Sequence, residues 1–310
     1  MHELEIVIVT WNSARDIERC LRSIALVESH GPWHVTVVDN ASEDGTPERV
    51  RESFPDVRLI CNAENRGFAA ANNQALRETG SPYWMLLNPD TEVVPGAVEE
   101  LLGFMAEHPA AAVAGPLLVN ADGSAQHPGQ KFPTLLNLLW ETLFLDRLFP
   151  RSVLFGAHRG MRRTPERPEP VEIVHGAAMV VRRSAAETIG LLDEGYFMYF
   201  EEVDWCHRFL RAGLECWLVP SARIIHHGGV DLGHYDADRL LHYHRSLLRF
   251  FARQKGRTGL LRLLIGFRSL IRVVVWALAG LARPRLRAAA ASSIRGYAKV
   301  LGLLFSEVAA

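Results

Sequence analysis

The chain alternates between short runs that are apolar almost throughout and longer stretches in which apolar residues recur every three or four positions. Short, β-branched apolar runs predict strands buried on both faces of a sheet. "LEIVIVT", "HVTVVDN", "VRLICN" and "YWMLLNPD" are of this kind. The intervening segments "SARDIERCLRSIAL", "AAANNQALRETG" and "PGAVEELLGFMAEH" carry helical spacing, the first through Ile17, Leu21 and Ile24. Ser13 with Asp16 predicts a capping box, and Thr46 followed by Pro47 predicts an N-cap and first-turn pair. Strands alternating with helices through short connections predict an α/β fold with right-handed βαβ units, a mainly parallel sheet and helices on both faces. Ligands in such folds bind beyond the carboxyl ends of the strands. Those ends read Thr10-Trp11-Asn12, Asp39-Asn40, Asn65-Arg66-Gly67 and Asn88-Pro89-Asp90.

After "AAVAGPLLVN" the pattern becomes irregular. The Arg- and Pro-rich "RGMRRTPERPEPVE" predicts a mobile surface loop, and "IVHGAAMVVRRS" a later strand. Ser184 and Glu187 predict a capping box for a short helix ending near Gly190. Glu201 to Ala212 predicts a helix with Gly213 as its C-cap, followed by a strand at "LECWLVP". From Ala237 onward the chain predicts helix, with Pro284 as the one strong breaker. The expected division is a catalytic-type α/β domain over 1–235 and a helical region over 236–310. No internal repeat is visible.

Composition narrows the picture. Hydrophobic residues make up 48% of 310 and charged residues 22%, enough for a sizeable core. A net charge of −1 gives no bulk attraction to nucleic acid, so no nucleic-acid partner is expected. The charge is uneven, however: beyond residue 260 the chain is rich in Arg and its only acid is Glu307. Such a tail is suited to an anionic surface. Cys20, Cys61, Cys206 and Cys216 have no metal-like spacing, so reduced thiols are expected. The start "MHELEIVIVTWN" reads as a strand and lacks the pattern of a secretion signal, which makes a cytoplasmic setting the expectation.

Several short features carry chemistry. Asp39 ends a buried strand, where a carboxylate either accepts from a nucleobase imide N–H or closes a polar turn with Ser42, Asp44 and Gly45. Asp90 follows Pro89 at another strand end, as a ligand for a hard cation such as Mg²⁺ or Mn²⁺ or as a turn cap. Arg66 and Gly67 precede a helix, where close backbone approach and the helix N-terminus favour anions. His226 and His227, before two glycines, are either metal ligands or ordinary loop histidines. No GxGxxG and no GxxxxGK[ST] follows the first strand, which argues against NAD enzymes and P-loop NTPases. In "FEEVDWCHR", Glu201 and Asp204 share a helix face, while Glu202 points about 100° from Glu201.

Taken in order, "VTWN", "VVDNAS", "NRGFAAANN", "LLNPDTEV", "GAAMVVRRS", "GLLDEGYFMYFEEVDWCHR" and "ARIIHHGG" resemble family 2 glycosyltransferases of the GT-A fold. Within that family the series is most similar to bacterial rhamnosyltransferase-like enzymes, over roughly residues 4 to 230. The resemblance implies a metal-dependent inverting transferase of cell-surface polysaccharide synthesis. Its donor is a nucleotide-diphosphate sugar, dTDP-rhamnose first, and its acceptor a saccharide or polyprenyl-linked saccharide. Carried over by motif, Thr10 and Asn12 lie at the nucleotide pocket, Asp39 accepts from the base, and Arg66 and Gly67 lie near the nucleotide. Asp90 and His226 stand at the metal, Mg²⁺ or Mn²⁺. Glu202 is the expected catalytic base with Glu201 second, and Asp204, Trp205 and Tyr199 are expected in the acceptor pocket. Two positions depart from the family pattern: the metal motif is Asn88-Pro89-Asp90, and the usual Glu-Asp pair is Glu201-Glu202. The alternatives are the same fold using a UDP-hexose, since uracil and thymine present the same imide, and a non-catalytic nucleotide-sugar-binding membrane scaffold. Retention of Asp90, Glu202 and His226 together argues against the scaffold.

"LLRLLIGFRSLIRVVVWALAGLA", residues 260–282, is about as long as a membrane span. Arg262, Arg268 and Arg272, each costly at a bilayer centre, fall with Gly266 and Ser269 on one side and leave a broad apolar face. The segment therefore predicts an interfacial amphipathic helix on the inner face of the plasma membrane, its arginines toward anionic lipid. A helical pair packed on protein is the alternative.

Overall fold

A computed structural model describes residues 3–27, 33–126, 131–149, 152, 154–155, 164–228, 237–255 and 258–305. The chain forms two compact units. One comprises Met1–Phe132, Arg159–Phe197 and Glu201–Gly229; the other comprises Pro133–His158, Met198–Phe200 and Val230–Ala310.

The first unit is built on a mixed sheet. Strand β1 (Leu4–Thr10) lies between β2 (Trp33–Asp39) and β4 (Tyr83–Leu87), parallel to both, with β3 (Arg58–Cys61) parallel outside β2. All of β1 is buried because its alternate residues feed different cores. Leu4, Ile6 and Ile8 meet Ile17, Leu21 and Ile24 of helix α1 (Ile17–Val27) and Val98, Leu101 and Met105 of α4 (Ala97–Glu107). Val7 and Val9 join Ala69, Ala71 and Ala75 of α3 (Phe68–Leu76) and Trp205, Cys206 and Phe209 of α8 (Glu201–Arg211). Each large aliphatic buried this way contributes about 1.5–3 kcal/mol, which fixes strand register firmly.

The other half of the sheet changes direction. Strand β8 (Ala178–Arg182) runs antiparallel to β4 and to β6 (Ala111–Val119). Strand β9 (Glu215–His226) runs parallel to β6 and antiparallel to β5 (Thr91–Val93) and to β7 (Glu169–Pro170). The order across the sheet is β3-β2-β1-β4-β8-β6-β9-β5.

Several local expectations need correction. "LECWLVP" does not end at Pro220: β9 continues to His226. Its register against β6 jumps from Val219 to Arg223, so Pro220 falls at an irregularity where its missing N–H costs no ladder bond. "IVHGAAMVVRRS" is strand only from Ala178, and residues 173–177 form a loop. Part of the Arg- and Pro-rich segment is ordered as β7, and 159–163 lie outside the described residues. Neither predicted capping box forms. Ahead of α1, Ser13 receives its helix-start bonds through its carbonyl. Helix α7 (Arg183–Ile189) starts one residue early, with no side-chain cap. In α2 (Thr46–Ser53) the N-cap is Gly45, and Asp44 takes the capping role by accepting from the Thr46 N–H and hydroxyl. All four cysteines are free.

The second unit is helical. It contains α5 (Leu135–Thr142), α6 (Leu145–Leu148), α9 (Ala237–Lys255), α10 (Gly259–Ala282) and α11 (Arg287–Leu303), with a 3₁₀ turn at Pro284–Leu286 where Pro284 breaks the helix. Helix α10 is turned inside out. Arg268 donates to Glu141 at 2.9 Å, the Arg272 guanidinium sits 4.2 Å from the Phe144 ring centre, and Arg262 donates to the Leu304 carbonyl. Leu260, Leu263, Phe267, Leu270, Val274, Leu278 and Leu281 form the outward stripe, at 50–77% exposure. The arginines on α10 therefore face protein and not lipid, which corrects that part of the expectation; the exposed cations are Arg283, Arg285 and Arg287 just beyond the helix.

Gly67 tests the packing at the edge of the sheet. Its φ of 82° and ψ of 169° are essentially reserved for glycine, and an added Cβ would stand 2.5 Å from the Phe197 carbonyl oxygen. Gly67→Ala is expected to destabilise the first unit by about 2 kcal/mol or more, read by denaturant unfolding.

Candidate active site

The carboxyl edge of β1 and β2 is a closed hydrogen-bond system. Thr10 Oγ1 donates to Asp39 Oδ1 at 2.8 Å; Ser42 adds its hydroxyl to the same oxygen at 2.6 Å and its N–H to Oδ2 at 2.9 Å. Thr10 is fully buried, so it orients Asp39 and does not itself face a ligand. Asn12, at φ 51°, fixes the opposite wall: its N–H donates to Ser42 Oγ and its Oδ1 accepts from the Glu43 N–H. Asn40 Nδ2 donates to the Gly67 carbonyl and its Oδ1 accepts from Asn62, which ties the Arg66-Gly67 loop to β2. Arg66 reaches Gln74 at 3.4 Å. Trp11, 54% exposed at the end of β1, is a residue the sequence reading quoted without assigning; a large apolar ring left in solvent beside a polar strand end was the available signal.

The extension of β9 brings His226 opposite Thr91 and its imidazole to Asp90, with Nε2 3.5 Å from Asp90 Oδ1. Gln126 settles the tautomer. Its Nε2 donates to Asn120 Oδ1 and to the His226 carbonyl, each at 2.7 Å, so its Oε1 must be the acceptor facing His226 Nδ1 at 2.9 Å. Nδ1 then carries the proton, and in the neutral ring the Nε2 lone pair faces the Asp90 carboxylate. Two lone pairs at that separation repel unless a proton or cation lies between them. Burial opposes ionisation of Asp90, but once the ring is protonated the hydrogen bond it donates and its positive charge outweigh burial and hold the carboxyl below the usual range. Gly228 closes over the pair: an added Cβ would lie 2.0 Å from Asp90 Oδ2. His227 turns away to Glu92, at 2.5 Å. A carboxylate and an oriented imidazole fit a divalent cation. Among the described residues no group of three or more His, Cys, Asp or Glu could hold a metal ion, so a cation on this pair would need further ligands from outside the protein.

The loop at 173–177 joins this pair to the glutamates. The Asn88 N–H donates to the Ala177 carbonyl at 2.8 Å, which anchors the loop to the Asn88-Pro89-Asp90 turn. The His175 ring centre is 5.8 Å from that of His226, and His175 Nδ1 accepts from the Ala177 N–H at 3.0 Å. Gly176 lies against Glu202, whose Cγ would be 3.4 Å from an added Cβ. His175 was missed because it fell inside a predicted strand; its signal was a His-Gly pair interrupting an apolar run. Burial pushes the carboxyl of Glu201 well above the usual range, and the Glu202 charge pushes it further. Burial raises Glu202 too. Each glutamate has a buried Oε2 without a hydrogen-bond partner among the described residues.

The rest of the expected acceptor set lies elsewhere. Asp204 is fully buried and pairs with Arg208 at 2.7 Å, and Arg208 donates to the Ile189, Gly190 and Leu191 carbonyls. Trp205 is fully buried with its indole N–H on the Gly190 carbonyl at 2.9 Å. Both support the core beneath α8 and line no acceptor pocket. Tyr199 packs in the helical unit, 6.1 Å from Tyr243.

The chain is similar to several known proteins. The model of the family described as "Glycosyl transferase family 2" matches residues 5–190. An N-acetylglucosaminyl-diphospho-decaprenol L-rhamnosyltransferase of Mycobacterium tuberculosis is 34% identical over 260 residues, covering 80% of this chain and 84% of the relative. The dTDP-rhamnosyl transferase RfbF of Shigella flexneri is 22% identical over 196 residues, covering 62% and 59%. Among solved structures, a mannosyltransferase from Pyrobaculum calidifontis in complex with GDP-Man and Mn²⁺ superposes with a TM-score of 0.57 at 16% identity, covering 97% of this chain and 86% of that one.

The orienting role of Gln126 is open to direct measurement. Gln126→Leu is expected to weaken Mn²⁺ binding about 10–100-fold in calorimetry with a nucleoside diphosphate present. Affinity equal to the unaltered protein's would remove Asp90 and His226 as the cation site.

Proposed function

Because this chain belongs to glycosyltransferase family 2, we propose that it moves rhamnose from dTDP-rhamnose, with inversion, to a hydroxyl of a lipid-linked saccharide. The observation that carries the reading is the meeting of three elements at one sheet edge: the Asp90–His226 pair, the 173–177 loop and Glu202. The choice of sugar and acceptor is supported by the rhamnosyltransferase relatives.

In this reading Asp39, held by Thr10 and Ser42, accepts from the base imide, and Trp11 offers the base an apolar face. Asp90 and His226 would hold a divalent cation, which would supply charge stabilisation for the departing diphosphate. Glu202 takes the proton of the acceptor hydroxyl as its oxygen attacks the anomeric carbon. The new C–O bond forms on the face opposite the bond to the diphosphate, which breaks with its electrons staying on the leaving group. Glu201 is the protonated neighbour: its carboxyl is pushed up by burial and by the charge on Glu202, so Glu202 ionises first.

The outward stripe of α10 supports a seat for the enzyme on a membrane. Its arginines are spent inside the helical unit, its leucines face outward, and Arg283, Arg285 and Arg287 stand exposed at its end. This is the arrangement of a helix lying in an anionic interface, apolar side down with cations at headgroup level. Helix α10 is the one described helix long and apolar enough to cross a membrane, but its buried arginines bond to protein partners that a span would have to carry along. A peripheral seat on the inner face of the plasma membrane follows, where a polyprenyl-linked acceptor is within reach.

Two outcomes check these roles. Glu202→Gln should lose at least ~100-fold in turnover with donor binding unchanged, while Glu201→Gln keeps most of the rate, because that side chain is already neutral. In the unaltered enzyme kcat/KM should fall toward acid through a raised carboxyl pKa, with its inflection above 4.5. Full turnover in Glu202→Gln would reassign the base. For the membrane, the full-length protein should float with phosphatidylglycerol vesicles and less with phosphatidylcholine. Combining Leu263→Glu, Phe267→Glu and Leu270→Glu should release it. Unchanged flotation would reject the interfacial helix, and loss of self-association in its place would make the stripe a contact between copies.

A further inference from the structure

The two imidazoles beside Asp90 are wired to opposite tautomers. Gln126 places the proton of His226 on Nδ1 and leaves the Nε2 lone pair toward Asp90. In His175 the Ala177 N–H donates to Nδ1 at 3.0 Å. Nδ1 therefore holds the lone pair, and the proton of the neutral ring stands on Nε2. One ring offers an electron pair, suited to a cation; the other offers an N–H, suited to an anion. Their centres are 5.8 Å apart and their planes are inclined by 59°. Both rings, Asp90 and Glu202 belong to the sheet unit.

The loop holds its ring still. Ile173, Val174 and Ala177 are buried, whereas His175 and Gly176 are half-buried. Val174 fills the space over Gly115, where an added Cβ would stand 2.3 Å from its Cγ1. The Ala177 carbonyl accepts from the Asn88 N–H at 2.8 Å, two residues before Asp90. Because the Nδ1 edge is taken by the loop's own backbone, the Nε2–H edge is turned away from that backbone. A donor fixed in place before its ligand arrives costs no reorganisation when charge develops beside it. A cation on Asp90 and His226 would draw phosphate oxygens to the edge where this ring lies.

We propose that His175 is a phosphate-binding residue whose Nε2–H donates to the terminal phosphate of the nucleoside diphosphate. The bond strengthens during transfer, since the electron pair of the broken bond to the sugar stays on an oxygen of that phosphate. The carboxyl of Glu202, against which Gly176 packs, is the competing acceptor for the same N–H. This inference rests on the reading of the donor as a nucleotide-diphosphate sugar, and the experiment separates the two.

The full-length unaltered protein, His175→Phe and His175→Gln would be compared. Imidazole ¹⁵N resonances read the tautomer without any ligand, and the signals missing from His175→Gln identify the ring. Expected is a proton on Nε2 of His175, whose signal moves downfield with dTDP and stays in place with dTMP. Calorimetry with dTDP and dTMP, with and without Mg²⁺, reads phosphate binding. His175→Phe should lose ~10-fold or more in dTDP affinity under both conditions and change dTMP affinity by no more than about twofold. His175→Gln, which keeps an N–H near the Nε2 position, should recover most of the loss. A proton on Nδ1, or equal dTDP affinity in His175→Phe, would overturn the assignment. So would a loss shared equally by dTMP, which would make His175 a support of the loop. If His175→Phe melts at a lower temperature, the movement of the Nε2–H signal in the unaltered protein decides. Binding of dTDP that is indifferent to Mg²⁺ but lost in His175→Phe would remove the cation site and keep the assignment. Failure of the donor reading looks different: the unaltered protein then binds neither nucleotide, and the assignment falls with it.

Discussion

The site depends on two lone pairs that face each other across 3.5 Å, one on Asp90 and one on His226. Asp90 lies on the turn before β5 and His226 at the end of β9, and neither element alone makes a site. Gln126 turns the imidazole so that its lone pair points inward, and it can do so only because its own amide is fixed by Asn120 and by the His226 carbonyl. Gly228 must lack a side chain because the Asp90 carboxylate occupies the space a Cβ would need. Strand β9 must run past Pro220 to deliver His226 at all. These demands converge on a place where positive charge is wanted.

The glutamates pose the opposite electrostatic problem. Two carboxyl groups are buried side by side, and burial disfavours charge on both. The arrangement is tolerable if one stays neutral, and their different exposure selects which: Glu201 is 6% exposed, whereas Glu202 is more open and lies against Gly176. Glu201 is thus the more strongly raised of the two, and Glu202 the one better able to carry charge. Asp204 takes no part, since Arg208 has claimed it for the support of α8.

The helical unit reverses the usual order of polar and apolar faces. Glu141 and Phe144 satisfy Arg268 and Arg272 from within, and the leucines of α10 are left outside. A helix in water gains nothing from this, whereas a helix at an interface gains about 25 cal/mol for each Å² of apolar surface it removes from water.

Much of the sheet unit was legible in the amino-acid order, because its strands are short apolar runs and its helices carry one apolar stripe. The parallel strands and the breaks at Gly190, Gly213 and Pro284 were readable from local pattern, and motif order singled out Asp39, Asp90, Glu202 and His226 as candidates. What local pattern cannot carry is which acceptor on a buried strand end is already used. Thr10 looked like a ligand contact and is an internal donor to Asp39; Trp205 looked like an acceptor wall and is core. Asp204 and Arg208, four residues apart on one helix, form a support that only the position of the Gly190 segment explains. Strand β5, the reach of β9 beyond a proline, and the inward turn of the α10 arginines also depend on partners distant in sequence. The chain by itself determined its elements and its chemical inventory, since periodicity and residue type act locally. Tertiary structure decided which of those polar groups satisfy one another and which remain available, because that depends on what packs beside them.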